Sequence, residues 1–172
     1  MKISTNRPDV LRVSIRAEKG DEMYHKCMWA EITFDFGTYS IMAQSDCGDY
    51  SYRWSRSKEE TFLDLCLRML RDEEYLLGKF SERSVFDLEE SKILFRDMHK
   101  SDPECADMIR FVDGVCAHDE RDWIEQLREN DIEEPWDYII KDYPAQAKTF
   151  VRLLGEFALP ELRKEKKKHE SE

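Results

Sequence analysis

The sequence predicts an α+β fold: a four-stranded antiparallel sheet over about residues 10–54, followed by six or seven helices. Three observations carry that reading. Apolar residues alternate with polar ones, period two, in four successive stretches before residue 55. The spacing then changes to the three-and-four rhythm of amphipathic helices and keeps it to the end of the chain. Between the third and fourth alternating stretches sits Asp46-Cys47-Gly48-Asp49, an Asp/Gly turn of the kind that closes hairpins.

The elements follow in order. Leu11, Val13, Ile15 and Ala17 share one face of a first strand, with Arg12, Ser14 and Arg16 on the other. Met28, Ala30, Ile32, Phe34 and Phe36 alternate with Trp29, Glu31, Thr33 and Asp35 in a second. Tyr39, Ile41 and Ala43 mark a third, and Tyr50, Tyr52 and Trp54 a fourth. Short links make this a meander with one packed face. Ser57-Lys58-Glu59-Glu60 reads as a capping box opening a helix with Phe62, Leu65, Cys66, Met69 and Leu70 inward. Asp72 caps a second helix, ending near Gly78, and residues 86–99 form a third. Asp102-Pro103 opens a fourth that stops at Gly114. Residues 119–129 give a fifth with Trp123, Ile124 and Leu127 inward, Pro135 starts a short one, and Pro144 a last one striped by Ala147, Phe150, Val151, Leu154 and Phe157. Pro160 is expected to kink or interrupt that helix, leaving a charged, frayed tail. The expected organisation is an α+β domain over 1–100, a helical portion over 101–162 that can pack on the same core, and a tail over 163–172.

Composition narrows the function classes. Of 172 residues 41% are hydrophobic and 12% aromatic, enough for a packed core despite 38% charged residues. The formal net charge of −11 argues against a nucleic-acid backbone as partner, because phosphate contacts need a basic footprint. No stretch suits a membrane span, and Met-Lys-Ile-Ser-Thr-Asn-Arg-Pro lacks the apolar core of a signal peptide. Five cysteines without a secretory signal read as reduced thiols of a cytoplasmic protein.

Candidate chemistry is sparse. His99, Cys105, Cys116 and His118 are zinc-type residues, but their spacing follows no cysteine knuckle, so neither a metal nor another cofactor is expected. Cys47, at the hairpin tip, is expected to be the exposed thiol, yet Asp46 and Asp49 would keep it protonated. No nucleophile elbow or phosphate-cradling glycine loop is present, and no catalytic residue is assigned. Charge placement says more. Between Asp113 and Asp142 stand eleven acids and three bases. Asp119, Glu120, Asp122, Glu125, Glu129, Asp131, Glu133 and Glu134, with Trp123 and Trp136 as aromatic anchors, make a candidate docking surface for a basic protein. Alternatively Trp29, Tyr50, Tyr52 and Trp54 present an aromatic sheet face to a partner or to a second copy of the chain. A Cys/His or metal-dependent enzyme is a third, less supported reading.

Ser45 to Trp54, followed by Phe62-Leu63 and by Glu74-Tyr75-Leu76-Leu77-Gly78-Lys79-Phe80, resembles small accessory proteins of bacteriophages and prophages. Those carry an Asp-x-Gly-x-aromatic hairpin ending in Tyr-x-Trp, then a Phe-Leu helix and a Tyr-Leu-x-x-Lys segment. Here Cys47 stands where a Tyr is usual, and the likeness covers about residues 26–80. The resemblance implies a phage setting inside a bacterial host and, by analogy of class, an inhibitor of host defence such as an anti-CRISPR protein or DNA mimic. The partner so implied is a host protein that handles nucleic acid.

Overall fold

The computed structural model describes residues 5, 7–56 and 58–171. Strands β1 (Val10–Arg16), β2 (Trp29–Asp35), β3 (Ser40–Ser45) and β4 (Tyr50–Arg53) form the antiparallel sheet in the order β1-β2-β3-β4. Helices α1 (Phe62–Met69), α2 (Glu73–Phe80), α3 (Leu88–His99), α4 (Ala106–Gly114), α5 (Glu120–Glu129), α6 (Ala145–Leu153) and α7 (Leu159–His169) follow it. Strand β5 (Val85–Phe86) pairs with β6 (Lys141–Asp142) over two residues, and short helical turns span Glu22–His25, Pro103–Cys105, Pro135–Tyr138 and Leu154–Ala158. The fold is α+β. Among the described residues no helix is long and apolar enough to cross a membrane.

The described residues fall into two compact units, one holding those up to Glu82 and from Pro144 onward, the other Arg83–Tyr143. In the first unit register carries the alternation into packing. Val13 faces Ile32, Ile32 faces Ala43 and Ala43 faces Tyr50, so one row of inward side chains crosses all four strands. Leu11, Phe34, Ile41 and Tyr52 make the next row. Phe34, Ile32 and Ile41 are fully buried, each contributing roughly 1.5–3 kcal/mol of transfer free energy. Onto this face α1, α2 and α6 bring an aromatic cluster: Tyr50 stacks on Phe150, Trp54 packs on Phe62 and Phe80, and the Trp54 indole N–H donates to the Tyr75 hydroxyl at 2.8 Å.

The hairpin tip differs from expectation. Cys47 is 5% exposed, not an open thiol. Gly48 sits at φ 128°, a left-handed conformation, and an added Cβ would lie 2.9 Å from the Tyr50 hydroxyl. That close return lets Tyr50 donate to the Cys47 carbonyl and Ser45 Oγ bond the Gly48 carbonyl, folding the thiol inward beside Ser45. Asp46 is turned to structural work, accepting the backbone N–H groups of Met28 and Trp29.

The helix ends are set by side-chain caps. Ser57 lies outside the described residues; the cap of α1 is Thr61, which accepts from the Asp64 N–H, while Glu60 pairs with Arg68 at 2.9 Å. Asp72, Asp87 and Asp119 cap α2, α3 and α5 in the same way. Helix α2 runs past Gly78 to Phe80, and Asp102-Pro103 opens a tight turn before α4 begins at Ala106. Pro160 does not break the last helix. It falls in the first turn of α7, where a missing N–H costs least, after one wide turn over Leu154–Ala158. The charged tail is helical to His169, anchored by buried Leu159 and Leu162 and by Lys166 paired with Asp64 at 2.8 Å.

The second unit closes around Phe95, Val112, Val115, Trp123, Leu127, Ile132 and Tyr138. Buried Ser91 ties α3 to the segment before β6, donating to the Asp87 carbonyl and accepting the Ile140 N–H.

Candidate functional site

The acidic stretch belongs to the second unit, and the structure divides it by role. Asp119 is the N-cap of α5. Asp122 accepts from Gln126 and from the His118 N–H, and those bonds hold its carboxyl below the usual range. Glu120 pairs with Lys141 at 2.7 Å and Glu125 with Arg121 at 2.9 Å. These four carboxylates stabilise the fold locally. Trp123, expected as a surface anchor, is fully buried in the core beside Phe86.

The remaining acids lie at the end of α5 and on the connection after it, and local geometry explains their exposure. The Ile132 N–H bonds the Leu127 carbonyl and the Asp131 N–H bonds the Arg128 carbonyl, the paired bonds of a Schellman ending. Asp131 occupies its left-handed position at φ 58°. Glu134 is also left-handed, at φ 48°, just before the turn Pro135–Tyr138. Ile132, Pro135 and Tyr138 are buried and pin the connection to the core. The residues between them face outward, Glu133, Glu134 and Asp137 exposed and Trp136 51% exposed; Glu129, on the last turn of α5, and Asp131 are exposed as well. The Arg128 guanidinium stands 5.6 Å from the Trp136 ring centre. Among the described residues no cation pairs with these five carboxylates. Sequence reasoning missed the Arg128–Trp136 pair and left out Asp137; the buried positions spaced three apart (132, 135, 138) are the signal that would have found the outward set.

Of the metal-type residues, His99 and Cys105 do meet. Cys105 Sγ is 3.7 Å from His99 Nδ1, and His99 Nε2 shares a 3.1 Å hydrogen bond with the Tyr138 hydroxyl. Cys116 and His118 stay apart from them on the turn before α5, Cys116 exposed and His118 bonded through its backbone to Asp122. Among the described residues no group of three or more His, Cys, Asp or Glu is placed to hold a metal ion. A thiol beside an imidazole is the pairing used in nucleophilic catalysis, but here burial, then the neighbouring Asp102 carboxylate, pushes the Cys105 thiol up, away from the thiolate.

Residues 1–164 match the family model Phage_phiTE_072, described as a phage family. The chain belongs to this phage family. No curated protein and no solved structure matches the chain. A phage protein, as the resemblance implied, is thus shown by the family match, while residue roles rest on the structure.

The aromatic set of this phage protein is split between two faces of its sheet. Tyr50, Tyr52 and Trp54 face the helices, where Tyr52 and Tyr75 each hold the Lys79 ammonium 5.2 Å from the ring centre. Trp29 points the other way and lies under Arg16 at 5.6 Å. Odd–even alternation explains the correction: Trp29 pairs with Arg16 in register, whereas Tyr50 and Tyr52 pair with inward Ala43 and Ile41. No common aromatic docking face forms from the four.

Proposed function

We propose that this phage protein is a non-enzymatic inhibitor that binds a host nucleic-acid-handling defence complex, anti-CRISPR-like in class. Carboxylates on the connection after α5 occupy Lys/Arg sites that otherwise hold phosphates, in the manner of a DNA mimic. One observation carries the reading: Glu129, Asp131, Glu133, Glu134 and Asp137 are exposed, pair with no cation among the described residues, and lie close in sequence to the exposed Trp136. Exposed carboxylates on one stretch with an aromatic supply steering charge together with an apolar anchor. Phage-family membership gives the setting in which such an inhibitor has a target. The left-handed Glu134 adds weight. Holding a non-glycine residue there costs about 1–2 kcal/mol, and strain of this kind clusters at functional sites.

Mass spectrometry of proteins captured on the purified chain from host lysate, followed by titration of the captured protein in rising salt, tests the reading. A captured nucleic-acid-binding protein whose affinity falls steeply with salt supports it. Absence of binding to defence nucleases and CRISPR effectors, with their activity unchanged, overturns it.

A further inference from the structure

Strand β1 pairs with β2 along one side and, among the described residues, has no strand on the other. Hydrogen bonds at its two ends show which groups the open side presents. The Phe36 N–H donates to the Asp9 carbonyl and the Ala17 N–H to the Met28 carbonyl. In an antiparallel ladder those two pairs fix the parity. Odd-numbered residues bond β2, and the N–H and C=O groups of Val10, Arg12, Ser14 and Arg16 point outward. Seven residues of continuous register carry no proline or bulge, and the charges on this edge are those of Arg12 and Arg16, so the backbone groups stay open to pairing wherever a partner strand keeps those arginines apart. Beside the edge runs a groove of about 450 Å³ lined by the whole stretch from Leu11 to Arg16, polar and apolar side chains alike, and by Phe157 and Glu161. Phe157, expected inside the last helix stripe, is 43% exposed there.

We propose that β1 pairs antiparallel with β1 of a second copy, about a twofold axis through Val13, to make a continuous eight-stranded sheet. The strand selects this register. Outward groups must meet outward groups, which permits shifts of two residues only. With Val13 opposite Val13, Leu11 meets Ile15 on the inner face, Arg12 meets Ser14 and Arg16 meets Val10. A shift of two in one direction sets Arg12 opposite Arg12, and in the other sets Arg12 opposite Arg16, both unfavourable. A shift of four leaves four of the seven residues unpaired. Glu31 bonds Arg16 at 2.7 Å and offsets its charge before the copies meet. Pairing also lays a second apolar row along the groove that exposes Phe157.

This inference is independent of the acidic-surface reading, and salt separates the two. Two chains of −11 repel each other, so self-association strengthens as salt rises, whereas docking on a basic partner weakens. Sedimentation velocity from micromolar to submillimolar protein, in low and high salt, is expected to show a monomer–dimer equilibrium shifted toward dimer by salt. Arg12→Pro removes one outward N–H per copy and leaves the β2 ladder intact. Ser14→Lys gains Glu31 as an intrachain partner but sets Lys opposite Arg12 twice across the axis. Each variant should weaken the dimer about tenfold while the chain keeps its circular dichroism. Val13→Cys should form a disulfide between the two substituted positions on mild oxidation. A chain that stays monomeric at submillimolar concentration in both salts, or a dimer that neither Arg12→Pro nor Ser14→Lys weakens, overturns the proposal.

Discussion

Tyr50 and Phe150 lie with ring centres 4.2 Å apart and planes 9° from parallel, joining the last sheet strand to a helix one hundred residues later. Phe80 meets both rings edge-on, so the strand, α2 and α6 share one aromatic contact. Phe150 is fully buried. Phe150→Ala should therefore lower stability by about 3–5 kcal/mol, the usual cost of emptying a buried aromatic site. Urea unfolding followed by far-ultraviolet circular dichroism measures it. A loss below about 1 kcal/mol would show that the stack does not hold the helices to the sheet.

Charge changes within the acidic stretch should separate into two classes. Reversal at Glu129, Glu133 and Asp137 should leave the melting temperature within a degree or two and abolish partner binding, because no fold contact depends on these groups. Asp119→Ala should instead lower stability by about 1 kcal/mol through loss of the α5 cap. Paired melting curves and binding titrations on the variants read both quantities at once.

Glu134→Gly should raise stability by about 1 kcal/mol, since glycine adopts the left-handed backbone without a Cβ clash. The same change removes an exposed carboxylate from the connection that carries Trp136 and should weaken binding. A stability gain without any binding loss would place the recognition elsewhere on the connection.

The strands were legible because alternation survives into the buried rows, and the caps at Asp72 and Asp102 were legible because a capping Asp acts through chemistry confined to three residues. Burial set by distant contacts was not. Cys47 looked exposed because its neighbours are polar, yet the Tyr50 hydroxyl and Ser45 turn the tip inward. Trp123 stands in the inward stripe with Leu127 and is core. Its helical spacing was the better guide than its acidic neighbours, which also made it look like a surface anchor beside Trp136. The tail had no apolar signature beyond Leu162, and its anchor to Asp64 spans 102 residues of sequence.

Thiol reactivity should follow burial. Cys116 is exposed, Cys105 half-buried, and Cys27, Cys47 and Cys66 buried. Burial pushes the thiols of Cys27 and Cys66 up. With a chromogenic disulfide at mildly alkaline pH, one thiol should react fast, a second more slowly, and three only after denaturant is added. Cys116→Ser should delete the fast phase. Fast labelling of Cys47 in the native protein would contradict the inward hairpin tip.

Acid should destabilise the sheet-bearing unit through a few identified carboxylates. Hydrogen bonds from Arg152 and then Lys26 draw Glu22 down to about 2. Lys166 and Thr61 lower Asp64, and Ser14 and then Arg16 lower Glu31. Burial by itself would raise Asp46, but the Cys27 thiol and the Met28 and Trp29 N–H groups together outweigh it and lower it. A carboxyl depressed in the folded state stabilises the protein above its unfolded value, near 4, and loses that contribution as pH falls through the folded value. The melting temperature should thus be flat from neutrality to about pH 5 and fall continuously toward pH 2. Glu22→Gln should start from a lower melting temperature at neutral pH and fall less steeply in acid, because the group that would be protonated is already uncharged. Equal slopes for the two proteins would show that the Glu22–Arg152 pair does not contribute to the acid response.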